Sequence, residues 1–287
     1  IIDLSCGCVC CTIRGDLTET LLDLWERRTA GTIQPFRRVV LETTGLADPA
    51  PIIHTLMQEP LVFAHYRLAR VVTAVDAVNA AATLAAQPEA VKQVAVADTI
   101  LLTKTDIAND ASAVEALTAR LEGLGPTADI EFCTQGETTP ETLFAGGLYD
   151  PAAKGADVAA WLAHEAGARH GHAHDVNRHG DDIVAFAIER DEPIGRGALS
   201  SFLQMLADQR GDDLLRLKGL VALTDDPARP AVVHGVQHVI HPITRLDAWP
   251  DGLNGTAIVL IVRGIERDWV EALFDRVTES AYAGLAR

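Results

Sequence analysis

Three thiols fall within four residues, Cys8, Cys10 and Cys11, with Cys6 just ahead of them and Cys133 as the fifth cysteine of the 287-residue chain. Thiolates at this density suit Zn²⁺ or a similar late transition ion, bound at about 2.3 Å in a tetrahedral shell. Three ligands leave one position open, which suits a site that must also release its metal. Adjacent cysteines are poor disulfide partners, because the bond needs Cβ atoms that are close and face each other. Free thiols also pack as small hydrophobes, but three in four residues makes that the weaker reading. A dithiol redox pair is a further alternative: Cys8 and Cys11 have C-x-x-C spacing, with Cys10 intervening.

Two other clusters could carry chemistry. Glu42-Thr43-Thr44-Gly45 offers an acid able to hold a water of Mg²⁺ and a glycine whose amide can approach a terminal phosphate. The same four residues could equally be a turn that needs its glycine. In Thr103-Lys104-Thr105-Asp106 the carboxylate of Asp106 can accept both N–H donors on one edge of guanine, while the Lys104 stem lies against the base. Alternatively Asp106 caps the next helix. A third tract, His170-Gly171-His172-Ala173-His174, is either metal-gathering or a flexible polar loop. His234 and His238 would share a face if their stretch is one strand, and ordinary packing accounts for them.

These residues need elements to position them. Apolar spacing predicts a helix over 17–28 with Asp16 as its N-cap, and helices over 49–58, 77–86, 88–96 and 111–121. Short apolar runs predict strands over 37–42, 70–76, 98–106 and 129–133, two of them closing on the acids Glu42 and Asp76. Strands alternating with helices predict an α/β fold, a mostly parallel sheet with crossover helices. Ligands of such sheets bind at the carboxyl ends of the strands. The clusters at 42–48, 103–106 and 133–136 fall there, so they are read as one site, to which Cys133 and Thr134 belong. A texture rich in Gly, Ala and His divides the chain into a first domain over 1–155, a linker over 156–180 and a smaller α+β domain over 181–287. In the last, strands are expected over 182–188, 214–223, 232–241 and 257–262, with helices over 199–207 and 269–277.

Composition narrows the partners. A net charge of −16 argues against a nucleic-acid surface. No apolar run reaches membrane-spanning length, and no signal-peptide pattern opens the chain. With an odd cysteine count and four of the five crowded together, an oxidised secreted framework is not expected, and a cytoplasmic protein is. The opening Ile1-Ile2-Asp3-Leu4 reads like the interior of a domain.

Together the motifs resemble the CobW family of P-loop GTPases, metallochaperones related to those that mature urease and hydrogenase. Gly7-Cys8-Val9-Cys10-Cys11-Thr12-Ile13-Arg14-Gly15-Asp16-Leu17 is similar to the family's Cys motif, Glu42, Gly45 and Leu46-Ala47-Asp48-Pro49 to its acid-glycine motif, and Lys104 with Asp106 to its guanine motif. Leu214-Leu215-Arg216-Leu217-Lys218-Gly219, with Trp249 beyond it, resembles the family's C-terminal domain. The resemblance implies a GTPase with GTP and Mg²⁺ as ligands and Zn²⁺ or Co²⁺ as cargo. Glu42 would position Mg²⁺ through water, Gly45 would sense the γ-phosphate, and Thr103, Lys104 and Asp106 would select guanine. Cys8, Cys10 and Cys11 would bind the metal for delivery to a client metalloenzyme or cofactor-synthesis protein, as in cobalamin biosynthesis; a homodimer is compatible with this.

Three departures stand out. The chain contains no Gly-Lys pair and hence no P-loop, so it reads as a family member without its first strand, phosphate loop and following helix. Taken at face value, the same absence gives a rival reading, a non-hydrolysing zinc-buffering protein. Thr103 stands for the usual Asn of the guanine motif, and Asp3 and Cys6 for the usual Glu and Asn before the cysteines.

Overall fold

The computed structural model describes residues 11–108, 110–126, 128–134, 136–140, 143, 183–250 and 253–285. The chain forms two compact units that divide after Leu68.

The first unit is helical. Helix α1 (Cys11–Thr29) starts ahead of Asp16, which therefore lies inside the helix and not at its N-cap. Leu17 and Leu21, one helical turn apart, bury against Val62 of α3 (Pro60–His65), with Ile52 and Leu56 of α2 (Ala50–Gln58) packed beside them. The Tyr66 hydroxyl donates to the Leu21 carbonyl at 2.8 Å, and the Trp25 ring stacks on His65 with centroids 4.5 Å apart. The strand expected over 37–42 is irregular backbone instead, and Val40 is 67% exposed. An extended apolar run holds only when a neighbour completes its hydrogen-bond ladder, and the described residues of this unit include no other strand.

The second unit opens with a parallel sheet of order β1-β2-β3, comprising β1 (Val72–Asp76), β2 (Thr99–Thr103) and β3 (Asp129–Cys133). Parallel neighbours need crossovers. Helices α4 (Ala80–Ala86) and α5 (Pro88–Ala95) supply the first and α6 (Ala111–Leu124) the second. Ile100 and Leu102 point into a core built with Val94, Leu117 and Leu121. The register aligns Asp76 with Thr103 and Thr103 with Cys133, so the three strands finish level. At the other edge Arg70 donates to Thr99 Oγ1 and to Asp129 Oδ2, both at 2.6 Å.

An antiparallel sheet of order β4-β9-β5-β6-β7 follows, with β8 (Thr244–Arg245) paired to β6. Its strands are β4 (Ile183–Arg190), β5 (Leu214–Val221), β6 (Ala231–Val236), β7 (Val239–Ile240) and β9 (Thr256–Arg263). Helices α7 (Arg196–Arg210) and α8 (Arg267–Leu285) run beside it, and Phe202 meets Phe274 edge-on at 5.0 Å within its core. The single strand expected over 232–241 is in fact the β6–β7 hairpin, turning at Gln237 with φ 53°. The turn breaks the alternation that would have put His234 and His238 on one face. His238 instead meets the Ala207 carbonyl at 2.8 Å and Asp212 at 3.1 Å, while the His234 ring lies edge-on to His241.

The two sheets of this unit share one buried ionic contact. A register shift between Leu214 and Arg216 lets both Leu214 and Leu217 reach the core. Arg216 and Lys218 then leave from the opposite face and converge on Asp98, just before β2. Asp98 Oδ1 accepts from Arg216 Nη2 and, at 2.8 Å, from Lys218 Nζ, while Oδ2 accepts from the Val71 N–H at 2.9 Å. Arg216 Nη1 also donates to the Ala97 carbonyl. All three charged residues are buried. Burial pushes the Asp98 carboxyl up, but Lys218 and Arg216 beside it outweigh that and hold it well below the usual carboxylate range. Gly219 completes the pattern: a Cβ there would sit 2.6 Å from the Ala257 carbonyl oxygen of the neighbouring strand.

Candidate functional site

The level strand ends put Asp76, Thr103 and Cys133 in one row. Thr103 Oγ1 donates to the Val75 carbonyl at 3.1 Å, and the Ala77 N–H donates to the Thr103 carbonyl at 2.9 Å. The Thr103 hydroxyl thus ties the end of β2 to β1. The next residue, Lys104, takes φ 60°, a left-handed conformation uncommon for a side chain of this type. Its ammonium reaches back to Asp76 Oδ2 at 2.7 Å. Asp76 also accepts from Asn79 Nδ2 at 3.0 Å and from the Val78 N–H at 2.9 Å. The Lys104 hydrogen bond, joined by that from Asn79, lowers the Asp76 carboxyl to about 2.

Asp106 lies exposed on the same loop. It does not cap α6; that role belongs to Asp110, which accepts from the Ser112 N–H at 2.9 Å. The alternative reading of the tetrad as a capping loop therefore fails. The Cys133 side chain is buried at 2% exposure, so its thiol is turned away from any ligand in solvent. Thr134 is half-buried and opens a turn in which its carbonyl accepts from the Glu137 N–H at 2.9 Å.

Glu42 and Gly45 belong to the first unit, both exposed on the segment ahead of α2. Gly45 is not in the left-handed region, and a Cβ would meet nothing within 4 Å. The turn itself does not require a glycine there. Asp48, by contrast, shapes the start of the next helix. Its Oδ1 accepts from the Ala50 N–H at 2.9 Å, just ahead of α2, whose N-cap is Pro49 and whose first turn holds Pro51.

Cys8, Cys10, His170, His172 and His174 lie outside the described residues, and Cys11 is described only as the first residue of α1. No group of three or more metal-ligating side chains occurs among the described residues. A cleft of about 270 Å³ is lined by Trp249, Pro227, Ala222 and Asp191 of the C-terminal domain and includes none of the motif residues. Among the described residues no helix is long and apolar enough to cross a membrane.

Sequence reasoning placed Thr103, Lys104 and Asp106 together and missed Asp76. The available signal was that β1, like the other site strands, closes on a polar residue.

Residues 1–132 match the CobW/HypB/UreG nucleotide-binding domain, and residues 183–278 match the cobalamin synthesis protein cobW C-terminal domain. Zinc chaperone YjiA of Escherichia coli (strain K12) is 33% identical, over 82% of this chain and 69% of the relative. The chain belongs to the CobW family. A zinc-regulated GTPase metalloprotein activator 1 from Saccharomyces cerevisiae is 24% identical, over 97% of this chain and 70% of the relative. The crystal structure of Zn(II)-bound YjiA GTPase from E. coli aligns with a TM-score of 0.70 at 28% identity, covering 91% of this chain and 77% of that one. CobW membership accounts for the parallel sheet followed by an antiparallel one.

Proposed function

We propose that this chain is part of a GTP-hydrolysing zinc chaperone. The observation that carries the reading is the strand-end loop: Lys104 is held in a left-handed conformation beside an exposed Asp106 that the fold uses for no cap. In this reading the Asp106 carboxylate accepts the two N–H groups of a guanine edge and the Lys104 stem lies along the base. Glu42, an exposed carboxylate, fits a water-mediated hold on Mg²⁺, and the open space around the Cα of Gly45 suits the close approach of a terminal phosphate. Bound Mg²⁺ would supply charge neutralisation between the phosphates. Cys8, Cys10 and Cys11 take zinc as cargo, with the histidines of 170–174 as auxiliary ligands, and the recipient is a client metalloenzyme or cofactor-synthesis protein. Zinc is preferred to cobalt because YjiA is a zinc chaperone by name and the yeast relative is zinc-regulated by name.

The test is GTP turnover by the full-length protein with and without Zn²⁺. GTP should be hydrolysed in preference to ATP, at a rate that zinc changes. Cys10→Ser should weaken zinc binding and remove zinc's effect on the rate. Turnover indifferent to zinc, or a variant that binds zinc as tightly as the parent, refutes the reading.

A further inference from the structure

We propose that Asp76 is a positioning residue for nucleotide recognition: it anchors the Lys104 ammonium across the strand ends, so that the lysine stem forms a fixed platform for the purine ring. This deepens the guanine reading above and rests on it.

Three observations converge. The register places Asp76 beside Thr103, one residue before Lys104, so the contact is set by the sheet and not by a loop alone. The Asp76 carboxylate is itself fixed from two other sides, by the Val78 N–H and by Asn79 Nδ2. Lys104 carries a backbone conformation that its residue type disfavours, and such outliers collect where the surrounding structure needs a side chain aimed.

The plainer reading is an ordinary surface ion pair. The side chains are 54% exposed at Lys104 and 28% at Asp76, and pairs at such exposure add little to stability. That makes a purely stabilising purpose a poor explanation for a left-handed lysine. Pre-ordering offers a better one. A free lysine side chain gives up considerable rotamer freedom when a base settles on it. Anchoring it beforehand moves that cost out of the binding step. The anchor works beside a second tie: Thr103 joins the ends of β1 and β2, and Asp76 supplies the remaining hold on the loop.

The experiment uses the full-length protein, a fluorescent GDP analogue as probe, and GTP, ITP and ATP as competitors. Asp76→Asn keeps an oxygen for the Val78 N–H but discharges the partner of Lys104. It should weaken GTP and ITP binding together by about three- to tenfold, the range set by immobilising one long side chain. The GTP:ITP ratio should hold, because the 2-amino group that distinguishes them is read by Asp106. Asp76→Glu should restore part of the loss. Decisively, Asp76→Asn on top of Lys104→Ala should add nothing, since the two act as one unit. Parent-like binding by Asp76→Asn, or losses that add in full in the double variant, overturns the positioning role while leaving the guanine reading intact. A parent protein that binds GTP no better than ATP overturns the guanine reading and this proposal with it.

Discussion

At the scale of single residues, Asp106 reports on the site most directly. Guanine presents two donors to its carboxylate, whereas xanthine replaces one of them with a carbonyl. Asp106→Asn should therefore lower GTP affinity by about 10- to 100-fold, the cost of losing a charge-assisted pair, and shift preference toward a xanthine nucleotide. Competition binding with GTP and XTP checks this; an unchanged GTP:XTP ratio would place the base elsewhere. The loop that carries Lys104 and Asp106 was legible because it is local and follows an apolar run. Asp76 was not, since its partner is 28 residues further on and only the parallel register brings them together. The place of Cys133 at a strand end puts it in the site by sequence, but its side chain is buried.

At the scale of elements, the decisive contact is that of Asp98 with Arg216 and Lys218. Asp98→Asn leaves two buried cations facing a neutral amide, and the expected loss is about 3–5 kcal/mol, measured by guanidinium unfolding. A loss below about 1 kcal/mol would show that the cations find other partners. The acid branch should change too. The folded-state Asp98 carboxyl lies below its unfolded value, so its contribution is present above about pH 4 and drains away as pH falls through the folded value. Asp76, lowered to about 2, acts in the same direction but more weakly because it is only half-buried. The parent should therefore lose stability steeply below about pH 4 and the Asp98→Asn variant less so. Among the elements, the strand over 129–133 was readable to the residue. The β6–β7 hairpin was not, because Gln237-His238 lacks the Asn-Gly type of turn signal and the turn is held by a bond from the Gln237 N–H to the Leu214 carbonyl. The run over 37–42 has strand composition, yet composition supplies no ladder.

At the scale of the whole molecule, the two units differ in how much apolar surface they bury. The first rests on Leu17, Leu21 and Val62, while the second holds the Phe202–Phe274 core and the packed parallel sheet. Stability in such a chain is uneven, and opening should begin in the first unit. Among the described residues, hydrogen exchange should show 37–45 exchanging fastest, α1 to α3 next, and β5 and β9 last. Equal protection across both units would contradict this order. The overall plan was legible in outline, because alternating short strands and helices followed by a strand-rich region leave few arrangements. The way the two sheets are joined was not, since Asp98 and Arg216 stand 118 residues apart and no periodicity links them.

That join also limits what evolution or an engineer can recombine. A C-terminal sheet bearing Arg216 and Lys218, transplanted onto a foreign partner whose second strand is not preceded by an acid, brings two sequestered cations and no counter-charge. Acid and bases must therefore travel together, and functional chimaeras will be those whose donor and recipient already match at these three positions.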